Sequence, residues 1–145
     1  MSPAATGTPT PRLLNQLLAI VSRSFPQYLQ FSRPYVPEGR EDVTETLASM
    51  VADQDGIAQR IGQMILDGDS LPRSGEFPIE YTDTHDLNID FLVNMTIAYQ
   101  RQDISAISDL AEQLQLAPAA KSLAEETLGM AKGHLESLRE IASEG

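Results

Sequence analysis

Four segments of the chain carry apolar residues at spacings of three and four positions, which is the period of an α-helix. No segment shows the sustained alternation of apolar and polar residues that is typical of a half-buried strand. The four segments cover about residues 12–33, 41–67, 86–114 and 118–142. The most regular stripe, in the second segment, consists of Val43, Leu47, Met50, Gln54, Ile57, Ile61 and Met64. The pattern predicts an all-α chain of four helices, each with an apolar face to bury.

The lengths of the connections predict how these helices are arranged. Residues 34–40 join the first two helices and about three residues near Ala117 join the last two, so each pair is expected to form an antiparallel hairpin. Residues 68–85 reach up to ~60 Å when extended, which exceeds the ~40 Å length of the second helix. We therefore expect two antiparallel hairpins joined by one long crossover. A simple up-down-up-down bundle with a decorated loop is the alternative.

The chain length of 145 residues suits one domain with a substantial core. We expect residues 12–145 to form this domain, with Pro26 kinking the first helix. Residues 1–11 are rich in proline, threonine and alanine and are expected to form a flexible N-terminal tail.

Composition and charge argue against several classes of function. The chain has 10 Lys+Arg and 21 Asp+Glu, a formal net charge of -11, and no basic stripe that would neutralise nucleic-acid phosphates. It has no cysteine, which excludes a disulfide scaffold and thiolate metal sites. The longest apolar run, Leu17 to Val21, is far shorter than the ~20 residues of a membrane-spanning helix. We expect no nucleic-acid partner and no membrane, with the cytoplasm as the default compartment.

Three segments resemble helices of a known superfamily. The sequence ADQDGIAQRIGQMILDGDSLP (Ala52–Pro72) resembles the second helix of bacterioferritin- and rubrerythrin-type proteins and its exit. The sequence LAEETLGMAKGHLESLREI (Leu123–Ile141) resembles the fourth helix, and LLNQLLAIVSRSFPQYL (Leu13–Leu29) resembles the first. The resemblance implies a ferritin-like four-helix bundle. Members of that superfamily hold two iron or manganese ions with inward-pointing Glu residues and Glu-x-x-His pairs.

The residues that carry this chemistry in the superfamily are mostly replaced. The corresponding positions in this chain are Val21, Gln54, Ile57, Ala131, His134 and a mid-helix position near residues 94–98. Only His134 among them is a metal ligand of the expected kind. The resemblance therefore implies a degenerate di-metal site, and we expect no metal and no other cofactor. Gln54, Ile57, Ala131 and His134 lie on the apolar stripes of their helices and are expected in the core.

Two sets of residues remain as candidate functional groups. Asp53, Asp55, Glu126 and His134 are weak candidates for a shifted set of metal ligands that would hold a di-iron or manganese centre. The second set consists of the aromatic residues Phe25, Tyr28, Phe31 and Tyr35. The favoured interpretation is that they form core and cover the crossover, and the alternative is an interface with a protein partner or a second copy of the chain. They lie near Arg23 and Arg33, and aromatic residues and arginine are enriched at interfaces.

The leading interpretation is a non-catalytic binding or assembly module of ferritin-like fold, a homo-oligomer such as a dimer. An enzyme is not the favoured interpretation. The alternative is a ferritin-like metalloprotein, an iron-storage protein or an oxidoreductase that uses the shifted ligands. A further alternative is a protein that binds a small molecule in the bundle cavity where the metals would lie in the superfamily.

Overall fold

The computed structural model describes residues 9–144 of the chain, with side chains to residue 142. The regular elements of this range are α1 Thr10–Ser22, α2 Phe25–Ser32, α3 Glu41–Asp67, a 3₁₀ segment Ile79–Thr84, α4 Ile89–Gln113 and α5 Pro118–Glu144. The predicted all-α class is confirmed for this part of the chain. Most of the expected N-terminal tail lies outside the described residues, but its positions Thr10 and Pro11 belong to α1.

The first predicted helix, residues 12–33, is divided into two. Arg23 and Ser24 separate α1 from α2, and Ser24 is the N-cap of α2, with its Oγ accepting a hydrogen bond from the Gln27 backbone N–H at 3.4 Å. Pro26 lies in the first turn of α2, where a missing N–H breaks no helical hydrogen bond. Because a capping serine followed by a first-turn proline starts a new helix, a break replaces the expected kink.

The third predicted helix, residues 86–114, begins later than expected. Asn88 is the N-cap of α4, and its Oδ1 accepts a hydrogen bond from the Phe91 backbone N–H at 2.8 Å. The chain before it is taken up by the 3₁₀ segment, in which Thr84 Oγ1 donates to the Tyr81 carbonyl at 2.7 Å. The local hydrogen bonds of this segment compete with an α-helical start.

Two hydrophobic clusters show which helix ends lie together. The Leu17 cluster joins α1 and the first half of α5 to the C-terminal halves of α3 and α4; its members include Leu17, Ile61, Leu110 and Leu123. The Phe25 cluster joins α2 and the end of α5 to the N-terminal halves of α3 and α4; its members include Phe25, Leu47, Val93 and Leu138. Because α3 and α4 both run from the Phe25 cluster to the Leu17 cluster, they point in the same direction. Residues 68–88 therefore pass back along the length of the bundle.

This long link lies against α1. Asn15 Nδ2 donates to the Leu71 carbonyl at 3.2 Å, and Arg23 Nε donates to the Gly75 carbonyl at 2.8 Å. The Arg23 guanidinium also lies 5.1 Å from the centre of the Phe77 ring, within cation–π range. These contacts direct the link from the Leu17 cluster towards the Phe25 cluster.

Aromatic rings hold the far end of the link in place. The Phe25 ring lies 5.0 Å from the Tyr81 ring and 5.1 Å from the Tyr99 ring, and Tyr28 lies 5.4 Å from Phe77. Phe25, Tyr28 and Tyr81 are buried. These ring contacts join α2, the link and α4 in one aromatic core. Aromatic pairs add stabilisation beyond the area they bury. Among the helices that the structure describes, none is long and apolar enough to cross a membrane.

Candidate functional site

A layer of neutral polar side chains lies inside the bundle. Its buried members are Ser24, Gln54, Thr96, Gln100 and Thr127. The Ser24 hydroxyl donates to Gln54 Oε1 at 2.9 Å, and Gln100 Nε2 donates to the Ala131 carbonyl at 3.0 Å. Amide and hydroxyl groups that bond to one another are cheap to bury, because their hydrogen bonds to water are replaced.

The two threonines of this layer bond to their own helices. Thr96 Oγ1 donates to the Leu92 carbonyl at 2.7 Å, and Thr127 Oγ1 donates to the Leu123 carbonyl at 2.8 Å. Their hydroxyl hydrogens are thus used within α4 and α5. These five side chains therefore bond to one another, to their own helix or, for Gln100, to the backbone of α5.

The residues that the sequence resemblance aligns with metal ligands do not fit a di-metal centre. Val21, Ile57 and Ala131 are buried apolar side chains in the Leu17 cluster and carry no donor atom. Gln54 is buried and hydrogen-bonded to Ser24, as described above. Burial of Gln54, Ile57, Ala131 and His134 confirms that these positions face the core. Among the side chains of residues 9–142, no three His, Asp or Glu groups come together in the geometry of a metal site.

The structure brings two of the four weak metal candidates together. His134 on α5 is 7% exposed, and its Nε2 lies 2.8 Å from Oδ2 of Asp53 on α3. Asp53 is exposed on the flank of α3, while the stripe of Val43, Leu47 and Met50 stays buried. The pair therefore forms while the apolar stripe of α3 faces the core. The second ring nitrogen, His134 Nδ1, is buried and has no hydrogen-bond partner among the described residues.

The other two metal candidates are engaged elsewhere. Asp55 Oδ1 accepts a hydrogen bond from Gln27 Nε2 at 2.9 Å, which ties α3 to α2. Glu126 accepts from Arg60, with 2.9 Å between Arg60 Nη2 and Glu126 Oε1, and this bond lowers the pKa of Glu126. Asp55 and Glu126 are thus held by other side chains, and the four candidates form no group of three ligands among the described side chains.

The Asp53–His134 pair lies in a groove between α3 and α5. The groove has a volume of about 530 Å³, within the range of small-molecule sites. Its lining residues are Glu45, Thr46, Ser49, Met50, Asp53, Gly129, Met130, Gly133, His134 and Ser137. Farther along the same two helices, the Arg60–Glu126 ion pair connects α3 to α5. This groove is the candidate functional site.

The four aromatic interface candidates divide into two pairs. Phe25 and Tyr28 are 0% and 5% exposed and belong to the aromatic core, so they are not surface residues. Phe31 and Tyr35 are 76% and 81% exposed. For Phe25 and Tyr28, burial agrees with the interpretation of this group as core and cover of the crossover. Only Phe31 and Tyr35 remain as interface candidates.

Asp103 on α4 is a partly buried carboxyl group that sequence reasoning missed. Burial raises its pKa from the usual value of 3.8 to about 7. Burial is the main reason that the pKa of Tyr81 is also raised, and the neighbouring Asp103 carboxylate adds to this effect. The sequence signal was weak, because an acidic residue in a helix is usually solvated.

This shift predicts that protein stability depends on pH. Since the folded-state pKa of Asp103 is raised, the folded chain binds more protons than the unfolded chain between about pH 4 and pH 7. The Asp103 contribution to the free energy of unfolding therefore falls as pH rises through this window. Asp103→Asn is expected to remove that contribution and to stabilise the protein by about 1–3 kcal/mol at pH 8.

Urea unfolding of both proteins at pH 5 and pH 8 checks this prediction. Asp109→Asn, at an exposed position of the same helix, is the control and is expected to leave the pH dependence unchanged. The same pH dependence in the Asp103→Asn protein and in the unsubstituted protein would contradict the role assigned to Asp103.

Sequence reasoning also missed the groove itself. Gly129 and Gly133 lie four residues apart on α5, and this spacing on one helix face was the available signal. The signal becomes interpretable only when the facing side of α3 is known.

Comparisons of the chain with models of known protein families, with curated proteins and with solved structures gave no match.

Proposed function

We propose that the chain is a ferritin-like four-helix bundle without a di-metal centre and that it acts as a non-catalytic binding or assembly module. The directions of the helices support the ferritin-like arrangement, because α3 and α4 are parallel and a long link returns between them. The division of the first helix into α1 and α2 is compatible with this arrangement, because both parts pack against α3.

The observation that carries the functional proposal is the chemistry of the bundle interior. Gln54 is held by Ser24, and Val21, Ile57 and Ala131 contribute hydrocarbon where the superfamily has ligands. A hard metal ion prefers carboxylate and imidazole donors, and a lone histidine binds a metal ion weakly. The interior therefore supports a structural role for the core and a binding role for the surface.

Assembly into a homodimer is part of the same proposal. Phe31 and Tyr35 offer exposed aromatic area near the end of α2, and aromatic residues are enriched in interface cores. The absence of cysteine is compatible with action in the reducing cytoplasm.

The contact between Asp53 and His134 favours a second candidate, a metalloprotein with shifted ligands. An imidazole and a carboxylate on facing helices make two ligands of a metal site. The engagement of Asp55 with Gln27 and of Glu126 with Arg60 argues against the full set. Binding of a small molecule is the third candidate, and the α3–α5 groove offers a volume of about 530 Å³ for it.

Metal analysis and light scattering on one purified sample test the proposal. We expect substoichiometric iron, manganese and zinc, and a melting temperature that neither a chelator nor added iron changes, because a ligand that binds the folded state would raise it. Light scattering is expected to give twice the 15.8 kDa mass of the chain. Stoichiometric metal with chelator-sensitive melting would instead support the metalloprotein, and a monomer would remove the homodimer from the proposal.

A further inference from the structure

The loop between α2 and α3, residues 33–40, carries an exposed aromatic ring between an exposed cation and an exposed anion. Tyr35 is 81% exposed, and Arg33 and Glu38 are exposed on either side of it. Among the residues that the structure describes, none makes a hydrogen bond, an ion pair or a ring contact with these three side chains. Aromatic residues and arginine are enriched at interfaces, so this combination indicates a contact surface.

Arg33 has an unusual backbone conformation for an arginine. It is the C-cap of α2 and lies in the left-handed region, with φ 54° and ψ 67°. Glycine is the usual residue in this conformation at the end of a helix, because a Cβ atom is unfavourable there. The arginine is therefore strained, and no bond of its side chain to the described residues offsets the strain.

The loop is held in one shape. Pro34 and Pro37 fix two of its φ angles. The Arg40 backbone N–H donates to the Pro37 carbonyl at 3.1 Å, and Arg40 Nη2 donates to the Ile141 carbonyl of α5 at 3.2 Å. Because the loop is preorganised, docking of the Tyr35 ring against another surface loses little conformational entropy.

An apolar groove of about 320 Å³ opens beside the same loop, between α2 and α3. Its apolar part is formed by Leu29, Val36 and Leu47. Gln30 and Thr44 also line it and supply acceptors for a hydroxyl group. This lining suits a tyrosine side chain, which has an apolar ring and a hydroxyl tip.

The Tyr35 ring and this groove are adjacent in the loop but do not meet within one chain. The groove is lined by Pro34 and Val36, the neighbours of Tyr35, while the Tyr35 ring itself lies in solvent. Two copies related by a two-fold axis at Tyr35 would each offer the ring to the other's groove. The same axis reverses the direction of the loop, so that Arg33 of each copy faces Glu38 of the other.

We propose that the chain forms a homodimer through residues 33–38, in which each Tyr35 ring occupies the partner's α2–α3 groove and Arg33 pairs with Glu38 across the two-fold axis. This inference rests on the homodimer of the proposed function and assigns its interface. Charge complementarity favours a second copy as the occupant, because the unpaired cation and the unpaired anion of one loop match those of an identical loop run in reverse. Phe31, in the last turn of α2, adds exposed apolar area beside the loop.

Sedimentation of the full chain over a series of concentrations tests the inference. We expect a dimer with a Kd in the micromolar range, because two loops bury less than the about 1,600 Å² of a standard interface. Tyr35→Ala is expected to raise the Kd tenfold or more, the effect of a central aromatic residue, without changing the melting temperature of the dilute monomer.

Leu116→Ala is the control for this substitution. Leu116 is an apolar side chain in the α4–α5 loop and is 99% exposed, so its removal is expected to leave the Kd unchanged. A Tyr35→Ala protein that dimerises as well as the unsubstituted protein would overturn the inference.

Exchange of charges tests the reciprocal pairing. Arg33→Glu and Glu38→Arg are each expected to weaken the dimer about tenfold, because two pairs of like charges then meet. An equimolar mixture of the two variants is expected to form dimers as strong as those of the unsubstituted protein, since every pair again joins opposite charges. Single variants of unchanged affinity, or a mixture as weak as either variant alone, would contradict the two-fold arrangement.

The failure of this inference is distinguishable from the failure of the proposed function. If metal analysis finds a stoichiometric ion while Tyr35→Ala dissociates the dimer, the proposed function is wrong and the interface stands. If a metal-free dimer persists in Tyr35→Ala, the interface is wrong and the proposed function stands. A chain that is monomeric at every concentration would remove the interface together with the homodimer, and the metal analysis would still decide the loss of the di-metal centre.

Discussion

Replacing Ile57 with glutamate is expected to lower the free energy of unfolding by about 3–5 kcal/mol. Ile57 is 5% exposed and packs in the Leu17 cluster, among side chains without charge. A carboxylate at this position loses its hydration and gains no cation or hydrogen-bond donor. Under the proposed ferritin-like assignment this position would hold a metal ligand, so the substitution tests directly whether the interior accepts charge.

Urea unfolding followed by circular dichroism measures this loss. Gln59→Glu introduces the same carboxylate at an exposed position two residues along α3 and is expected to change stability by less than about 0.5 kcal/mol. If Ile57→Glu does not fold, Ile57→Ala supplies the number, with an expected loss of about 2–5 kcal/mol from the cavity alone. A near-neutral Ile57→Glu variant would mean that water reaches this position and that the dry interior inferred here is wrong.

The long helices were predictable because their patterns are regular. The second segment was predicted to cover residues 41–67, and α3 is Glu41–Asp67. Two acidic residues begin the helix and a glycine follows its last residue, so local signals and the apolar stripe agree. The same agreement held for α5, which begins at Pro118.

The ends of the other helices depend on short-range competition that periodicity does not detect. Ser24 interrupts a continuous apolar stripe by capping a new helix. Asn88 is the N-cap of α4, which begins at Ile89, a few residues after the 3₁₀ segment ends at Thr84. In both places a single side chain accepts a backbone hydrogen bond and decides where the helix begins.

The candidate site was predictable only in part, because a sequence pattern describes one helix at a time. The stripes correctly put Gln54 and His134 inside the bundle. The partner of each depends on how neighbouring helices are set against each other, so the bonds from Ser24 to Gln54 and between Asp53 and His134 needed the structure. The exposure of Phe31 and the burial of Phe25 likewise depend on the link that covers α2.

The stability of the link between α3 and α4 is expected to depend strongly on the buried ring of Phe25. Phe25 is 0% exposed and lies within 5.1 Å of the rings of Tyr81 in the link and Tyr99 in α4. Phe25→Ala is expected to lower the free energy of unfolding by about 3–5 kcal/mol, through lost burial and a cavity among the remaining rings. Because the link also loses its central contact, backbone amides near Tyr81 are expected to exchange hydrogen faster than those of α3.

Phe31→Ala is the matched control for this prediction. Phe31 lies in the same helix, its ring is 6.2 Å from that of Tyr28, and it is 76% exposed. The same number of atoms is removed in both variants, yet the exposed position is expected to cost less than about 1 kcal/mol. Denaturant unfolding and hydrogen exchange on both variants separate the two effects. Equal losses in the two proteins would contradict an aromatic core centred on Phe25, whereas a loss confined to Phe25→Ala with faster exchange around Tyr81 is the result that a ring-fastened link requires.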